Sequence, residues 1–330
     1  MSASGPERGG PPPGVAGGGG EAAGVGPKSG TVALMGRPNA GKSTLMNRFL
    51  GQKVAIVSDK PQTTRHRLVG ILSEERGQMV FYDTPGVHKP LHQMNRQMVT
   101  YALDALNEAD AVCLLVDAAA AEGSGDAYLT DLVARVEVPK VLALNKIDLV
   151  RKSRLLPMIE RWAERGIFDE IVPVSALSGD GCDLLLGILW RLLPEGPPRY
   201  DPELLTIHPD RFLVAERIRE KVLDHTREEI PYSTAVRIEG WEEEPGGPDR
   251  PGLVRIYASI LADRPGQKKI LVGHRGAMIK AIGTAARKDL EEYLGRRVYL
   301  DLQVKLEPGW REDRRILGEL DRDLVGWLGP

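Results

Sequence analysis

The chain has 330 residues, of which 42% are hydrophobic and 27% are charged, and its formal net charge is −2. The length is typical of about two soluble domains, and the near-neutral charge excludes a uniformly basic nucleic-acid-binding protein, so any nucleic-acid surface must be a local patch. The two cysteines, Cys113 and Cys182, exclude a disulfide framework and favour a reducing compartment. No apolar run reaches the roughly 18–20 residues that span a bilayer, and we expect no signal peptide.

The first part of the chain predicts a disordered tail followed by an α/β domain. Residues 1–29 are dominated by Gly, Pro and Ala, which bury too little apolar surface to offset the loss of chain entropy. Residues 30–195 alternate strand and helix patterns, and the predicted strands lie in TVALMG, QMVFYDTPG, AVCLLVDA, KVLALNKID and IVPVSA. Continuously apolar runs favour a mostly parallel sheet with flanking helices. Ligands bind such sheets at the carboxyl ends of the strands, where the polar signatures of this sequence lie.

The second part of the chain predicts a linker and an α+β domain. Residues 196–209 are rich in Pro and polar side chains, which is typical of a linker. Residues 210–330 begin with the amphipathic helix pattern FLVAERIREKVLDHTREE. Two predicted strands follow, in STAVRIEGWEE and GLVRIYASILA. Next come two helices broken at residues 273–276, in KKILVGHRGAMIKAIGTAARKDLEEYLG. The chain ends with a last strand, RRVYLDLQVKL, and a helix after Gly309.

Residues 36–43, GRPNAGKS, match the phosphate-binding pattern GxxxxGK[ST]. The motif follows a predicted strand and opens a helix, so its backbone N–H groups and the helix N-terminus favour anions. Lys42 supplies a charge to the β- and γ-phosphates, and the Ser43 hydroxyl can ligate Mg²⁺. The predicted phosphate-binding residues are Gly36, Asn39, Ala40, Gly41, Lys42, Ser43 and Thr44.

Residues 145–148, NKID, predict specificity for guanine over adenine. The Asp148 carboxylate can accept hydrogen bonds from the ring N–H and the exocyclic amine of guanine, whereas adenine offers neither donor there. Asn145 can bond the other edge of the base, and the Lys146 stem can cover its face. In the segment VSA, the Ala176 N–H can reach the guanine carbonyl oxygen. The predicted guanine-binding residues are Asn145, Lys146, Asp148, Ser175 and Ala176.

Two further segments predict nucleotide-sensing switches. In DTPG, Asp83 can hold Mg²⁺ through water, and the Gly86 N–H can contact the γ-phosphate, so loss of that phosphate would release the loop. In PQTTR, residues 61–65, one threonine hydroxyl can complete the Mg²⁺ shell, and spacing alone leaves Thr63 and Thr64 open. The predicted switch residues are Thr63, Thr64, Asp83, Thr84, Pro85 and Gly86.

The residues after Gly86 predict slow intrinsic hydrolysis. Val87 stands where the best-studied small GTPases have a Gln that orients the attacking water. We therefore expect activation by a partner, a rearranged switch or a monovalent cation. Asn39 is either a K⁺ ligand or only a brace of the loop. His88 is disfavoured as a general base, since proton removal contributes little to a loose phosphoryl-transfer transition state.

The sequence GHRG, residues 273–276, lies between two helix patterns and fits the GXXG loop of KH domains, which clamps a short single strand. Basic residues surround it and would attract phosphates, although an ordinary helical turn with a solvated basic face is the alternative. The basic residues nearby are Arg264, Lys268, Lys269, Arg275, Lys280, Arg287 and Lys288. The predicted RNA-binding residues are Lys268, Lys269, Gly273, His274, Arg275, Gly276, Lys280 and Arg287.

The order GRPNAGKS, PQTTR, DTPG, NKID, VSA and the stretch GQKVAIVSDKPQTTRHRLVGI resemble the Era family of bacterial GTPases. The segments REEIPYS, GQKKILVG, ARKDLEE and VKLEPGW are similar to its C-terminal domain, so the resemblance covers about residues 30–327. It implies a type II KH domain of order α-β-β-α-α-β, and it favours Thr64 as the switch threonine. Ala40, where Val is common, and GHRG, where a lysine is common, depart from the family pattern.

The resemblance implies a GTP-hydrolysing switch protein that binds 16S ribosomal RNA near its 3′ end and assists maturation of the 30S subunit. It implies Mg²⁺ as a cofactor and a cytoplasmic location with weak peripheral membrane association, and we expect a monomer. One alternative is a constitutive RNA-binding protein whose GTPase fold is only structural. Another is a tRNA-modification GTPase. Such enzymes need an extra catalytic domain, and we find neither a cysteine motif nor a cofactor motif for one in this sequence. Asn145 and Asp148 disfavour a P-loop ATPase or kinase.

Overall fold

The computed structural model describes residues 26–60, 62–86, 93–247 and 252–325. The predicted tail up to residue 25 lies outside these ranges, as do Pro61, Val87 and His88. Within the described residues, no helix is both long and apolar enough to cross a membrane.

The first domain is a six-stranded sheet of order β2-β3-β1-β4-β5-β6, with helices against both faces. All neighbouring strands are parallel except β2 and β3. The strands are β1 Lys28–Gly36, β2 Leu68–Glu74, β3 Gly77–Asp83, β4 Ala111–Asp117, β5 Lys140–Asn145 and β6 Glu170–Pro173. The helices are α1 Lys42–Leu50, α2 Gln93–Glu108, α3 Ser124–Ala134, α4 Leu155–Ala163 and α5 Cys182–Leu192. The predicted mostly parallel α/β fold is confirmed.

The structure corrects two details of this domain. β1 begins at Lys28 rather than at residue 30, because the Lys28 N–H donates to the Arg76 carbonyl oxygen at 2.9 Å and extends the pairing with β3. The antiparallel edge strand β2 was not predicted. Its central Gly70 interrupts the apolar pattern, and the missing side chain leaves room for α1, since a Cβ there would lie 2.8 Å from Leu50 Cδ1.

The predicted linker, residues 196–209, is packed along the outer edge of β2. The Ile71 N–H donates to the Leu205 carbonyl oxygen at 2.8 Å, and the Val69 N–H donates to His208 Nε2 at 2.9 Å. An uncovered edge strand is a template for unwanted pairing. This segment therefore shields the sheet as well as connecting the domains.

The second domain has the order α-β-β-α-α-β that the resemblance predicted. Strands β7 and β8 are antiparallel, and β8 and β9 are parallel. The elements are α6 Asp210–His225, β7 Thr234–Glu244, β8 Leu253–Ala262, α7 Pro265–Val272, α8 Ala277–Leu294, β9 Arg297–Leu306 and a last helix α9 Arg314–Val325. Trp310, which is 1% exposed, packs between the two domains with Met94 of α2 and Ala235 of β7.

Helix α6 is buried on both its apolar and its polar side. Phe212 and Leu213 at its start pack in the core of the first domain, and its later buried apolar residues pack in the core of the second. Its buried charged residues lie on the side that faces the first domain. The buried charged residues are Glu216, Arg217, Arg219 and Glu220. The amphipathic pattern therefore marks a helix between two domains, and solvent does not cover its polar side.

Candidate functional site

A cleft of about 390 Å³ lies at the carboxyl ends of β1 and β5 and brings the five predicted nucleotide-binding and switch segments together. Of the predicted residues, its lining includes Asn39, Gly41, Lys42, Ser43, Thr44, Thr63, Thr64, Gly86, Asn145, Lys146, Asp148 and Ala176. Buried around it are Gly36, Ala40, Asp83, Thr84, Pro85 and Ser175. The chain thus gathers residues from positions 36 to 176 at one edge of the sheet, as the rule for parallel sheets predicts.

The loop before α1 has the backbone geometry of an anion cradle. Asn39 and Gly41 have φ values of 63° and 98°, in the left-handed region. A Cβ at Gly41 would lie 2.1 Å from Asn145 Nδ2, so this position requires glycine. Lys42 Nζ donates to the Gly36 and Arg37 carbonyl oxygens, each at 3.0 Å. Burial lowers the pKa of Lys42 to about 8, although the nearby Asp83 charge opposes the shift.

Three side-chain oxygen groups converge beside this loop. Ser43 Oγ donates to Asp83 Oδ2 at 2.5 Å and lies 3.0 Å from Thr64 Oγ1, which is itself 3.5 Å from Asp83 Oδ2. The Thr63 hydroxyl instead donates to the Lys60 carbonyl oxygen at 2.6 Å. Of the two threonines that spacing left open, Thr64 therefore joins the cluster.

The oxygen cluster fits a divalent cation. Asp83 is fully buried, and its Oδ1 has no hydrogen-bond partner. Burial raises the pKa of Asp83 to about 6, against the opposing effects of Lys42, Ser43 and Thr64. A buried carboxylate with one unpaired oxygen, next to two hydroxyls, is a set of hard donors of the kind that Mg²⁺ prefers.

The Asp148 carboxylate stands at the other end of the cleft with its orientation fixed. Its Oδ1 accepts a hydrogen bond at 2.6 Å from the hydroxyl of Ser175, which is fully buried. Lys146 Nζ forms an ion pair with Asp117 Oδ2 at 2.6 Å, so the lysine stem is held in place as well. The exposed side chains of Leu149 and Leu177 line the cleft as apolar walls, as expected around a planar base.

Asn145 links two loops of the site. Its Nδ2 donates to the Ala40 carbonyl oxygen at 2.7 Å, and its Oδ1 accepts from the Ala176 N–H at 2.9 Å. The sequence assigned the Asn145 amide and the Ala176 N–H to the base. In this structure they are hydrogen-bonded to each other, and the Asn145 amide also bonds the phosphate-binding loop. Their direct contact with guanine stays a prediction. The two hydrogen bonds of Asn145, which is buried at the end of β5, hold the loops of Ala40 and Ala176 together.

The switch segments contact the phosphate-binding loop closely. A Cβ at Gly86 would lie 2.5 Å from the Pro38 nitrogen, so only glycine permits this approach. Thr84 Oγ1 donates to the Leu34 carbonyl oxygen at 2.7 Å and anchors the start of the loop to β1. Asn39 Nδ2 donates to the Asp59 carbonyl oxygen at 2.6 Å. Asn39 therefore acts here as a brace between two loops, which was one of its two predicted roles.

Sequence reasoning missed Arg48 and Asp117. Arg48 of α1 donates from Nε to the Ala176 carbonyl oxygen at 2.6 Å and from Nη2 to that of Leu177 at 2.5 Å, which holds the guanine-side loop. Nothing in a helical arginine distinguishes it from a solvated one. Asp117 ends an apolar strand at the ligand-binding edge of the sheet, and that position could have singled it out.

The loop of the second domain presents its backbone to solvent. Gly273 has φ 72°, and a Cβ there would lie 2.7 Å from Met278 Cβ, whereas Gly276 has φ 78° and no atom within 4 Å of its Cβ position. Of the predicted RNA-binding side chains, those exposed are Lys268, Lys269, His274, Arg275 and Lys280. Arg287 is only half-buried and is paired with Glu291 at 2.7 Å. The loop thus offers Gly276 as a point of close backbone approach.

Together, the phosphate cradle, the oxygen cluster and the oriented Asp148 define a P-loop GTPase joined to a KH domain. A family model described as a 50S ribosome-binding GTPase matches residues 31–146, and a KH domain model matches residues 229–311. GTPase Era of Geobacter metallireducens is 45% identical over 293 residues, which cover 89% of this chain and 97% of that protein. GTPase Era of Leuconostoc citreum is 46% identical over 295 residues, which cover 89% and 96%. The chain belongs to the Era family of GTPases.

Solved Era structures match this fold over most of the chain. A variant of Era from Aquifex aeolicus, bound to GDP·AlF4−, is 37% identical with a TM-score of 0.84, and the match covers 89% of this chain and 98% of that one. An Era structure in complex with MgGDPNP and nucleotides 1506–1542 of 16S ribosomal RNA is 37% identical with a TM-score of 0.85 and the same coverage. The predicted family, two-domain fold and GTPase activity are confirmed.

Proposed function

We propose that this GTPase is a nucleotide-controlled RNA-binding factor that binds 16S ribosomal RNA near its 3′ end and assists maturation of the 30S subunit. One observation carries the proposal: a single chain joins a guanine-nucleotide cleft to an exposed loop with an open glycine. The Era relative that holds both MgGDPNP and nucleotides 1506–1542 of 16S ribosomal RNA supports this choice of RNA.

In the nucleotide cleft, each end of the ligand has its own residues. The N–H groups of the loop before α1 and the Lys42 amine bind the phosphates. Ser43 and Thr64 would hold Mg²⁺ directly and Asp83 would hold it through water, and the ion would supply positive charge to the phosphates during hydrolysis. Asp148, oriented by Ser175, accepts the guanine donors. ATP should therefore not displace labelled GTP, and an ATP affinity equal to that for GTP would contradict this assignment.

Hydrolysis itself is expected to be slow and to need an activator. K⁺ is a candidate, with the Asn39 amide oxygen as its ligand, because the bond from Nδ2 to the Asp59 carbonyl fixes the amide in the cleft. Replacing KCl by NaCl at constant ionic strength tests this directly. A fall in the turnover rate is the expected result, and equal rates would remove the cation from the mechanism.

RNA binding is assigned to the loop at residues 273–276 and the exposed basic residues around it. A sharp test compares Gly276→Asp with Gly276→Asn. Both side chains have nearly the same shape, enter open space at the same left-handed backbone position, and differ mainly in charge. Asp should weaken binding to a short strand copying the 16S 3′ end by about tenfold or more, about 1.4 kcal/mol, relative to Asn. Equal affinities of the two variants would remove this loop from the interface.

Gly273→Asp is a poorer probe, because its Cβ would meet the Met278 backbone nitrogen at 2.8 Å and disturb the loop itself. The monomeric state, the cytoplasmic location and the weak membrane association remain predictions. Light scattering at micromolar concentration tests the first. Flotation with anionic lipid vesicles tests the last, and binding that Gly276→Asp does not change would separate it from RNA binding.

A further inference from the structure

The polar side of α6 faces the switch segment of the first domain. Arg219 is 2% exposed and Glu216 is 8% exposed. The Glu216 carboxylate accepts hydrogen bonds from Arg219 Nε at 2.7 Å and from Nη2 at 2.5 Å. The same Nη2 also donates to the backbone carbonyl oxygen of Thr63. A guanidinium of the second domain is therefore held by a carboxylate of its own helix and aimed at one peptide group of the first domain.

That peptide group carries the switch threonine. The Thr63 carbonyl and the Thr64 nitrogen belong to one planar unit, so fixing the carbonyl oxygen restricts the orientation of Thr64. Thr64 Oγ1 in turn lies 3.0 Å from Ser43 Oγ and 3.5 Å from Asp83 Oδ2. One peptide unit therefore separates the carbonyl that Arg219 binds from the residue whose hydroxyl belongs to the oxygen cluster.

Arg65 holds the other side of Thr64 to the same domain. Its Nη1 donates to the Thr234 carbonyl oxygen at 2.6 Å, and its Nη2 donates to that of Pro231 at 2.8 Å. Arg65 is only 5% exposed. The switch threonine is therefore flanked on both sides by hydrogen bonds to the RNA-binding domain.

This arrangement buries charged groups between the two domains, which costs desolvation free energy. The buried guanidinium groups of Arg65 and Arg219 share the nearby carboxylate of Glu216, and Arg65 Nε and Arg219 Nη1 are buried without a hydrogen-bond partner. Burial, followed by the charge of Arg219, lowers the pKa of Arg65 to about 9. Apolar residues of similar size often replace buried ion pairs without loss of stability. Packing energy alone is therefore a weak reason for the Arg219–Glu216 pair, and the hydrogen bond from Arg219 to the Thr63 carbonyl oxygen gives this pair a second role.

We propose that Arg219 is a positioning residue for GTP hydrolysis, which holds the Thr63 carbonyl so that the Thr64 hydroxyl stays in the Mg²⁺ site. This inference rests on the proposed assignment of Thr64 to that site. It follows that the nucleotide site is complete only while α6 is docked, so a ligand that moves α6 changes the rate of hydrolysis.

The first test compares GTP hydrolysis by Arg219→Met and Arg217→Met. Arg217 is a matched control, because it lies on the same helix, is 8% exposed and donates to a backbone carbonyl of the first domain, that of Lys53, at 2.7 Å. We expect Arg219→Met to lower kcat by about 10–100-fold, as loss of an outer partner of a metal ligand does, with GDP affinity unchanged. Arg217→Met should keep a near wild-type kcat. Equal kcat values for the two variants would overturn the proposal.

A double-mutant cycle separates this proposal from the assignment of Thr64. If Arg219 acts through Thr64, adding Arg219→Met to Thr64→Ala causes no further loss of kcat, and multiplied losses would overturn the proposal. If Thr64→Ala loses activity while Arg219→Met retains it, only the positioning role fails. If Thr64→Ala itself keeps the wild-type rate, the assignment of Thr64 and the positioning role fail together.

Thermal unfolding of each variant shows whether the fold survives. If Arg219→Met does not fold, Glu216→Gln replaces it, because this change keeps the shape of the partner and removes the charge that aims the guanidinium. A lower kcat at unchanged GDP affinity is again the expected result. A wild-type kcat in Glu216→Gln would overturn the proposal.

Discussion

His208 ties the segment between the domains to the edge strand β2 and should make stability depend on pH. Its Nε2 accepts the Val69 N–H at 2.9 Å, and its ring centroid lies 5.0 Å from that of Phe212. Burial, with a smaller contribution from His66, lowers the pKa of His208 from 6.5 to about 4. The proton therefore binds the unfolded chain more strongly than the folded one.

The sign and size of the effect follow from this pKa. Above pH 6.5, the imidazole is neutral in both states and no stability is lost. As the pH falls from 6.5 towards 4, only the unfolded chain gains the proton, so the free energy of unfolding falls. The full difference is about 3 kcal/mol, and about 2 kcal/mol of it is lost by pH 5.

Urea unfolding of the wild type and His208→Gln measures this contribution. The Gln side-chain oxygen can still accept the Val69 N–H, and other titrating groups are present in both proteins, so they largely cancel. Between pH 7.5 and 5, the stability of the wild type should fall by about 2 kcal/mol relative to the variant. Parallel pH curves for the two proteins would refute a buried neutral imidazole at this position.

Three further predictions concern the nucleotide cleft. Asp148→Asn should lower GDP affinity by about 100-fold and raise the affinity for xanthosine diphosphate, because the amide N–H can donate to the carbonyl of xanthine. Calorimetric titration with both nucleotides measures the two affinities, and an unchanged GDP affinity would contradict the prediction. Asn145→Ala should lower the free energy of unfolding by about 2–3 kcal/mol, since the Ala40 and Ala176 groups lose a buried partner, and urea unfolding without nucleotide would show no loss if the brace were unimportant. Gly41→Ala should abolish GDP binding, whereas Gly51→Ala, in open space at φ 66°, should cost only about 1 kcal/mol of stability; equal GDP affinity of the two variants would contradict the cradle geometry.

The nucleotide site was largely predictable because each motif is local and ends a strand of one parallel sheet. Once the sheet is inferred, Lys42, Asp83 and Asp148 must meet at its carboxyl edge. The choice between Thr63 and Thr64 needed the structure, because adjacent residues differ in direction and not in spacing. The Thr63 hydroxyl turns to the Lys60 carbonyl, and this leaves Thr64 to face Ser43.

The contacts between the domains could not be predicted in the same way. In the sequence, Glu216 and Arg219 look like the solvated face of an amphipathic helix, and a pattern of charges does not show what covers it. Segment 196–209 has the composition of a linker, and its packing against β2 could not be inferred. That packing requires the strand β2, whose apolar pattern is interrupted by Gly70. Arg48 reaches Ala176 only through tertiary packing. These features depend on long-range contacts rather than on local pattern.

In the proposed function, the guanine nucleotide controls RNA binding by the second domain. The decisive quantity is the affinity for a short single strand copying the 3′ end of 16S ribosomal RNA, measured at fixed salt in GDP and in a non-hydrolysable GTP analogue. We predict tighter binding in the GTP state, and loss of that binding in Gly276→Asp but not in Gly276→Asn. Equal affinity in the two nucleotide states would contradict the account and favour a constitutive RNA-binding protein that carries an uncoupled GTPase domain.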